Sequence, residues 1–181
     1  MLLNYNTKKY KISNNFISET LWYDSTKKGV ALNAYRLLFF LTLLNLLNFV
    51  DRQLIASFAN FIVPDLGLTD TQYGFLTTVP FIVFYSIAGL FMGVLADMVN
   101  RPKLIAFGVV LWSVFTALTG AAKGFISMAL PRMFIGVGES ILTPTSMSLL
   151  SDSFPSKRMG FAAGFYYMGV PIGVGVSLLI A

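Results

Sequence analysis

The sequence predicts an all-α membrane protein that crosses the bilayer five times. Three observations predict it. Of its 181 residues, 56% are hydrophobic and only 12% are charged, well outside the range of an ordinary soluble domain. The apolar residues fall into five long runs, and a spanning helix needs about 20 mostly apolar residues. Basic residues alternate between the gaps that separate the runs, the pattern that sets topology in a bilayer.

The runs follow one another with turn chemistry between them. The first covers about residues 33–63 and is closed by Pro64-Asp65-Leu66-Gly67. The second, 73–96, is closed by Asp97 to Pro102, and the third, 103–122, by the pair Lys123-Gly124. Ser151 to Lys157, with Pro155, separates the fourth run, 125–150, from the fifth, 160–181. Residues 1–32 are polar and basic, with Lys8, Lys9, Lys11, Lys27 and Lys28, and lack the apolar core of a signal peptide. They read as a cytoplasmic tail. The first gap holds Asp65 and Asp70 and no base, the second Arg101 and Lys103, the third only Lys123, and the fourth Lys157 and Arg158. Because Lys and Arg stay on the cytoplasmic side, the amino terminus is expected inside and Ala181 outside. An apolar end there, with no polar flank, reads as the end of a fragment.

Several function classes are excluded by composition. There is no cysteine and no histidine, so disulfides, thiol nucleophiles, imidazole triads and the usual zinc sites are out of reach. No nucleophile–base pair, metal site or cofactor motif is present, and an enzyme is not expected. The net charge of +5 is spread over the tail and the gaps and is not gathered on one face, so nucleic acid is not an expected partner. Gly136 and Gly138 lack the strand and the third glycine of a dinucleotide loop.

Charges inside the runs are the candidates for function, since each costs roughly 2.5 to 3.5 kcal/mol at a bilayer centre and persists where it faces protein or water. In the first run Asn45, Asn48 and Arg52 share one helical stripe, with Asp51 at its edge; in the fourth, Arg132, Gly136 and Glu139 share another. Arg132 and Glu139 are seven apart, too far to pair with each other, so each needs a partner elsewhere. Facing each other, the two seams could neutralise one another, and a carboxyl placed between desolvation and a guanidinium suits a proton that must come and go. Gly93, Gly136, Gly138, Gly169 and Gly173, with Pro171, are expected to let helices approach closely and bend.

The stretch GVLADMVNRPKL, Gly93 to Leu104, resembles the loop between the second and third helices of the major facilitator superfamily: Gly93, Leu95, Ala96, Asp97, Arg101 and Lys103 match, while Met98 and Pro102 depart. Leu46 to Ala56, Pro131 to Gly160 and Phe165 to Gly175 are similar to segments of its Spinster branch, and Asn100-Arg101 looks like that branch's Asn-Arg pair. The resemblance implies a partial amino-terminal transporter bundle over residues 33–181. It implies a secondary transporter of lysophospholipid or sphingolipid, coupled to protons and working by alternating access, whose carboxy-terminal half is missing. It implies that Asp51 and Glu139 titrate, that Arg52 and Arg132 tune them or meet an anionic headgroup, and that Asp97, Arg101 and Asp152 hold a cytoplasmic gate. A neighbouring branch of organic-anion and proton symporters also carries Asp-Arg in its first helix and Gly-x-x-Glu in its fourth, and is the alternative; a non-transporting regulator of a full-length homologue is another. Bilayer lipid, protons and a small amphipathic or anionic substrate are the expected partners.

Overall fold

The computed structural model describes residues 33–180, and the tail expected over residues 1–32 lies outside them. The chain divides into two units, Met1–Leu37 and Leu38–Ala181. Of the first, only residues 33–37 are described, as the opening of a helix; all that follows concerns the second.

Five helical segments are long and apolar enough to cross a membrane: Asn33–Ser57, Asp70–Met98, Arg101–Gly120, Phe125–Ser153 and Ser156–Ile180. We label the helices α1 (Asn33–Ser57), α2 (Ala59–Asp65), α3 (Asp70–Met98), α4 (Arg101–Gly120), α5 (Phe125–Ser140), α6 (Leu142–Ser153), α7 (Ser156–Tyr167) and α8 (Gly169–Ile180). Large apolar side chains such as Leu90, Phe91, Val94 and Leu179 are exposed, which water would not tolerate over so wide a surface and lipid does. The protein is a multi-pass integral membrane protein.

Local chemistry explains where the helices begin and end. The first apolar run is not one helix but two, because Phe58 leaves helical geometry and the Phe61 N–H bonds back to its carbonyl only three residues away. Gly67, at φ +61°, closes α2: the Leu68 N–H bonds the Val63 carbonyl and the Gly67 N–H bonds the Pro64 carbonyl. This left-handed cap satisfies carbonyls that the helix end would orphan, and glycine takes the conformation without a Cβ penalty. Helix α3 starts before residue 73 because Thr69 and Gln72 form a reciprocal capping box. Helix α4 starts at Arg101 because Asn100 caps it, its Oδ1 accepting from the Lys103 N–H at 3.2 Å. Pro102, atypical for the loop it sits in, occupies the first turn, where a missing N–H costs nothing. The fifth span begins at Ser156, not Gly160, since Pro155 precedes a first turn able to carry Lys157 and Arg158 in the interfacial region.

Two one-residue breaks inside the described spans each lie three residues before a proline. Pro144 and Pro171 cannot donate to the carbonyls of Ser140 and Tyr167, four residues back, and their rings crowd them. The helices are interrupted at Ile141 and Met168, next to those carbonyls.

Helix α5 is the centre of the fold, packed on both α3 and α4. Close approach makes this contact possible. A Cβ at Gly136 would stand 2.6 Å from the Phe81 carbonyl oxygen, and one at Gly138 would meet the Trp112 N at 3.0 Å. On the opposite flank α8 lies against α1, where a Cβ at Gly173 would stand 2.6 Å from the Leu46 carbonyl oxygen and one at Gly169 2.9 Å from that of Thr42. Gly93 differs from these four: nothing lies within 4 Å of where its Cβ would be, so among the described residues it serves no close packing. Gly108 of α4, which the sequence did not single out, does: a Cβ there would stand 2.9 Å from the Gly138 carbonyl oxygen.

Candidate functional site

The two polar seams meet. Arg52 of α1 donates to Glu139 of α5 from both Nη2 (2.6 Å) and Nε (3.1 Å), and both bonds fall on Oε2. The Glu139 side chain has no exposure, whereas that of Arg52 keeps 23%. Oε1 of Glu139 has no hydrogen-bond partner among the described residues.

Arg132, one stripe position before Gly136, does not join this pair. Its Nη2 donates to the Thr77 carbonyl of α3 at 2.9 Å, while its Nε, also buried, has no partner among the described residues. A carbonyl supplies a dipole and not a charge, so Arg132 is a buried cation without a carboxylate directly upon it, an arrangement that favours an incoming anion. Asp51 is partly exposed and makes no ion pair among the described residues. It lines, with Arg132 and Glu139, a cavity of about 400 Å³ whose walls include Leu54, Phe58 and Ile135. A polar floor with apolar walls suits a small molecule having one charged and one oily part.

The α1 stripe splits between two neighbours. Asn45 is buried and its Nδ2 donates to the Tyr166 carbonyl of α7 at 3.0 Å, so it serves the helix junction and not the ion pair. Asn48 is buried between them with its Nδ2 unpartnered. Tyr166 is fully buried, its hydroxyl 3.4 Å from that of Thr143.

Aromatic side chains are what the sequence reading missed. The Arg52 guanidinium carbon lies 4.6 Å from the Phe81 ring centroid, 4.8 Å from that of Phe49 and 5.1 Å from that of Tyr85. A signal for this was available: Thr77, Phe81 and Tyr85 recur every four residues on α3, the stripe that faces Arg132, Gly136 and Glu139 on α5.

At the other end of the spans, Arg101 ties three helices. It pairs with Asp152 at the end of α6, lies 3.6 Å from Asp97 at the end of α3, and donates from Nε to the Ala96 carbonyl at 3.2 Å. The carboxylates are well exposed, at 64% for Asp152 and 71% for Asp97. Such pairs contribute about 0–1 kcal/mol. Asp152→Asn is therefore expected to leave the thermal unfolding midpoint of the purified chain nearly unchanged; a large drop would show that the cluster braces the folded bundle itself.

Comparison with known proteins returns transporters. Residues 41–181 match the family model for the Major Facilitator Superfamily. The probable L-galactonate transporter of Escherichia coli (strain K12) is 34% identical over 151 residues, which is 83% of this chain and 32% of that protein. The sphingosine-1-phosphate transporter of Danio rerio is 28% identical over 138 residues, 75% of this chain and 27% of that protein. A crystal structure of a bacterial homologue of the human lysosomal transporter Spinster, inward-facing and unoccupied, superposes with a TM-score of 0.74 at 38% identity, covering 77% of this chain and 29% of that one. The chain thus spans less than a third of the length of each of these relatives.

Proposed function

Since the chain belongs to the Major Facilitator Superfamily, we propose that it supplies the amino-terminal helices of a secondary transporter that carries a small amphipathic anion, coupled to protons, by alternating access. In such carriers substrate sits near the bilayer midplane and two helical halves rock about it; the second half is the partner this chain requires. The observation that carries the reading is the buried Arg52–Glu139 pair beside a cavity that also presents Arg132 and Asp51. A carboxyl held by one guanidinium through a single oxygen can exchange that partner for a proton. An arginine with an unused buried donor can receive a phosphate or carboxylate. Glu139 and Asp51 are the proton carriers, Arg132 the anion contact, and Arg52 the counter-charge.

A lysophospholipid or sphingoid phosphate is the substrate we favour, because most of the cavity wall is apolar and because a relative is named for sphingosine-1-phosphate. A sugar acid is the second reading, favoured by the relative named for L-galactonate. With the amino terminus cytoplasmic, Asp97, Arg101 and Asp152 lie at the cytoplasmic end and act as its gate, a role suited to pairs weak enough to open.

Asp51→Asn is expected to abolish pH-dependent uptake while the protein stays in the membrane at its usual level. Uptake of labelled lysophosphatidate and of labelled galactonate, each across an imposed pH gradient, measures this and separates the two substrate classes. Uptake by the variant that still follows the gradient removes Asp51 from the mechanism.

A further inference from the structure

A buried guanidinium, Arg132, and a half-buried one, Arg52, lie near the buried carboxylate of Glu139, which accepts both of its bonds from Arg52. Arg132, although on the same helix stripe, turns instead to the Thr77 carbonyl. Something must decide which arginine serves the acid. Both contact the ring of Phe81, whose centroid is 4.6 Å from the Arg52 guanidinium carbon and 5.1 Å from that of Arg132. The face of an aromatic ring is negative and attracts cations, more strongly where water is excluded.

Phe81 is also held in place. It is 5% exposed, its ring stacks on Tyr85 at 5.5 Å between centroids, and its carbonyl is the backbone atom against which Gly136 packs. The ring therefore cannot follow a guanidinium that moves. Phe49 and Tyr85 lie close to Arg52 as well, so Arg52 sits among three rings; Phe81 is the only one of these three that also contacts Arg132.

We propose that Phe81 is a positioning residue whose ring, shared by Arg52 and Arg132, holds the two cations apart and fixes Arg52 to Glu139 and Arg132 to the cavity. This deepens the transport reading and rests on it for its functional meaning. Like charges brought together in a poorly hydrated space repel, and a single carboxylate cannot satisfy both; a ring shared by the two supplies attraction to each without supplying a site that either can seize. When Glu139 is neutral, the rings keep Arg52 where it was, so the acid finds the same partner on the return step.

The test uses the chain in lipid nanodiscs with ¹⁵N-labelled arginine. The side-chain Nε–H signals of Arg52 and Arg132, assigned by their loss in Arg52→Lys and Arg132→Lys, are expected to be separate and displaced upfield by the ring current. In Phe81→Leu the displacement should vanish for Arg132 and shrink for Arg52, with both signals broadened as the cations compete for Glu139. Because a leucine there could also loosen the fold, fluorinated phenylalanines at position 81 keep the shape and weaken the ring face; the displacement should then shrink stepwise with each fluorine. Signals at their native positions in Phe81→Leu, or indifference to fluorine number, would overturn the proposal. In uptake assays the same variant should raise KM for lysophosphatidate about tenfold, with a smaller change in kcat. If the unsubstituted chain, alone or with its second half, moves no substrate, it is the transport reading that fails, and the arginine signals still judge the ring.

Discussion

Replacing Arg52 with methionine is expected to destabilise the bundle by about 3 kcal/mol, because removing one partner of a buried ion pair leaves the other charge uncompensated. The range for such losses is about 3–5 kcal/mol, and the lower end applies since the Arg52 side chain keeps 23% of its exposure while Glu139 keeps none. Replacing both partners, Arg52→Met with Glu139→Leu, should return most of the loss, as apolar residues of similar volume often match or exceed a buried pair in stability. Arg101→Met is the control: its acids are mostly exposed, and about 1 kcal/mol or less is expected. Unfolding midpoints in one detergent decide between these outcomes. If Arg52→Met cost no more than Arg101→Met, the pair would be solvated in the membrane-embedded protein and would lose its standing as the buried centre of the site. The double variant should be well folded and inactive, which separates a residue kept for transport from one kept for stability.

The membrane class, the number of spans and the superfamily were legible in the sequence because each rests on a long, redundant pattern. Hydropathy over about 20 residues survives local irregularity, and several ordered motifs from Leu46 to Gly175 point the same way. The meeting of Arg52 with Glu139 was foreseen only as two seams that ought to face each other. Helix periodicity gives the face of each helix but not its neighbour, so the sequence could not say that Asn45 would bond the Tyr166 carbonyl of α7 while Arg52 went to α5. Nor could it tell that Arg132 would settle on a backbone carbonyl. Helix ends moved where a cap outweighed hydropathy: Thr69 and Asn100 start helices among residues that look like loop. The aromatic contacts to Arg52 were overlooked because phenylalanine in an apolar span carries no signal against its background; only its spacing with Thr77 and Tyr85 does. Gly93 shows the converse, since a motif glycine reads like the packing glycines although its surroundings are open.

Gly136→Ala is expected to have the largest effect of any single added methyl group on α5. The new Cβ would lie 2.6 Å from the Phe81 carbonyl oxygen and 3.1 Å from the Tyr85 N. Both are backbone atoms of α3, so no side chain can rotate away and the two helices must separate. Overpacking of this kind costs about 1–3 kcal/mol, occasionally more, and here it outweighs the roughly 1 kcal/mol by which alanine is the better helix former. Gly93→Ala is the matched comparison. It lies in a helix with open space around it, so propensity alone acts and the chain should be unchanged or slightly more stable. The unfolding midpoints of the two variants should move in opposite directions. Separation at Gly136 would also draw Phe81 away from Arg52 and Arg132, both of which contact its ring. Gly136→Ala should therefore broaden the arginine Nε–H signals as Phe81→Leu does, although the ring itself is intact. A Gly136→Ala variant as stable as Gly93→Ala, with native arginine signals, would mean that α3 and α5 do not make this close contact in the membrane, and the sharing of the Phe81 ring by the two cations would fall with it.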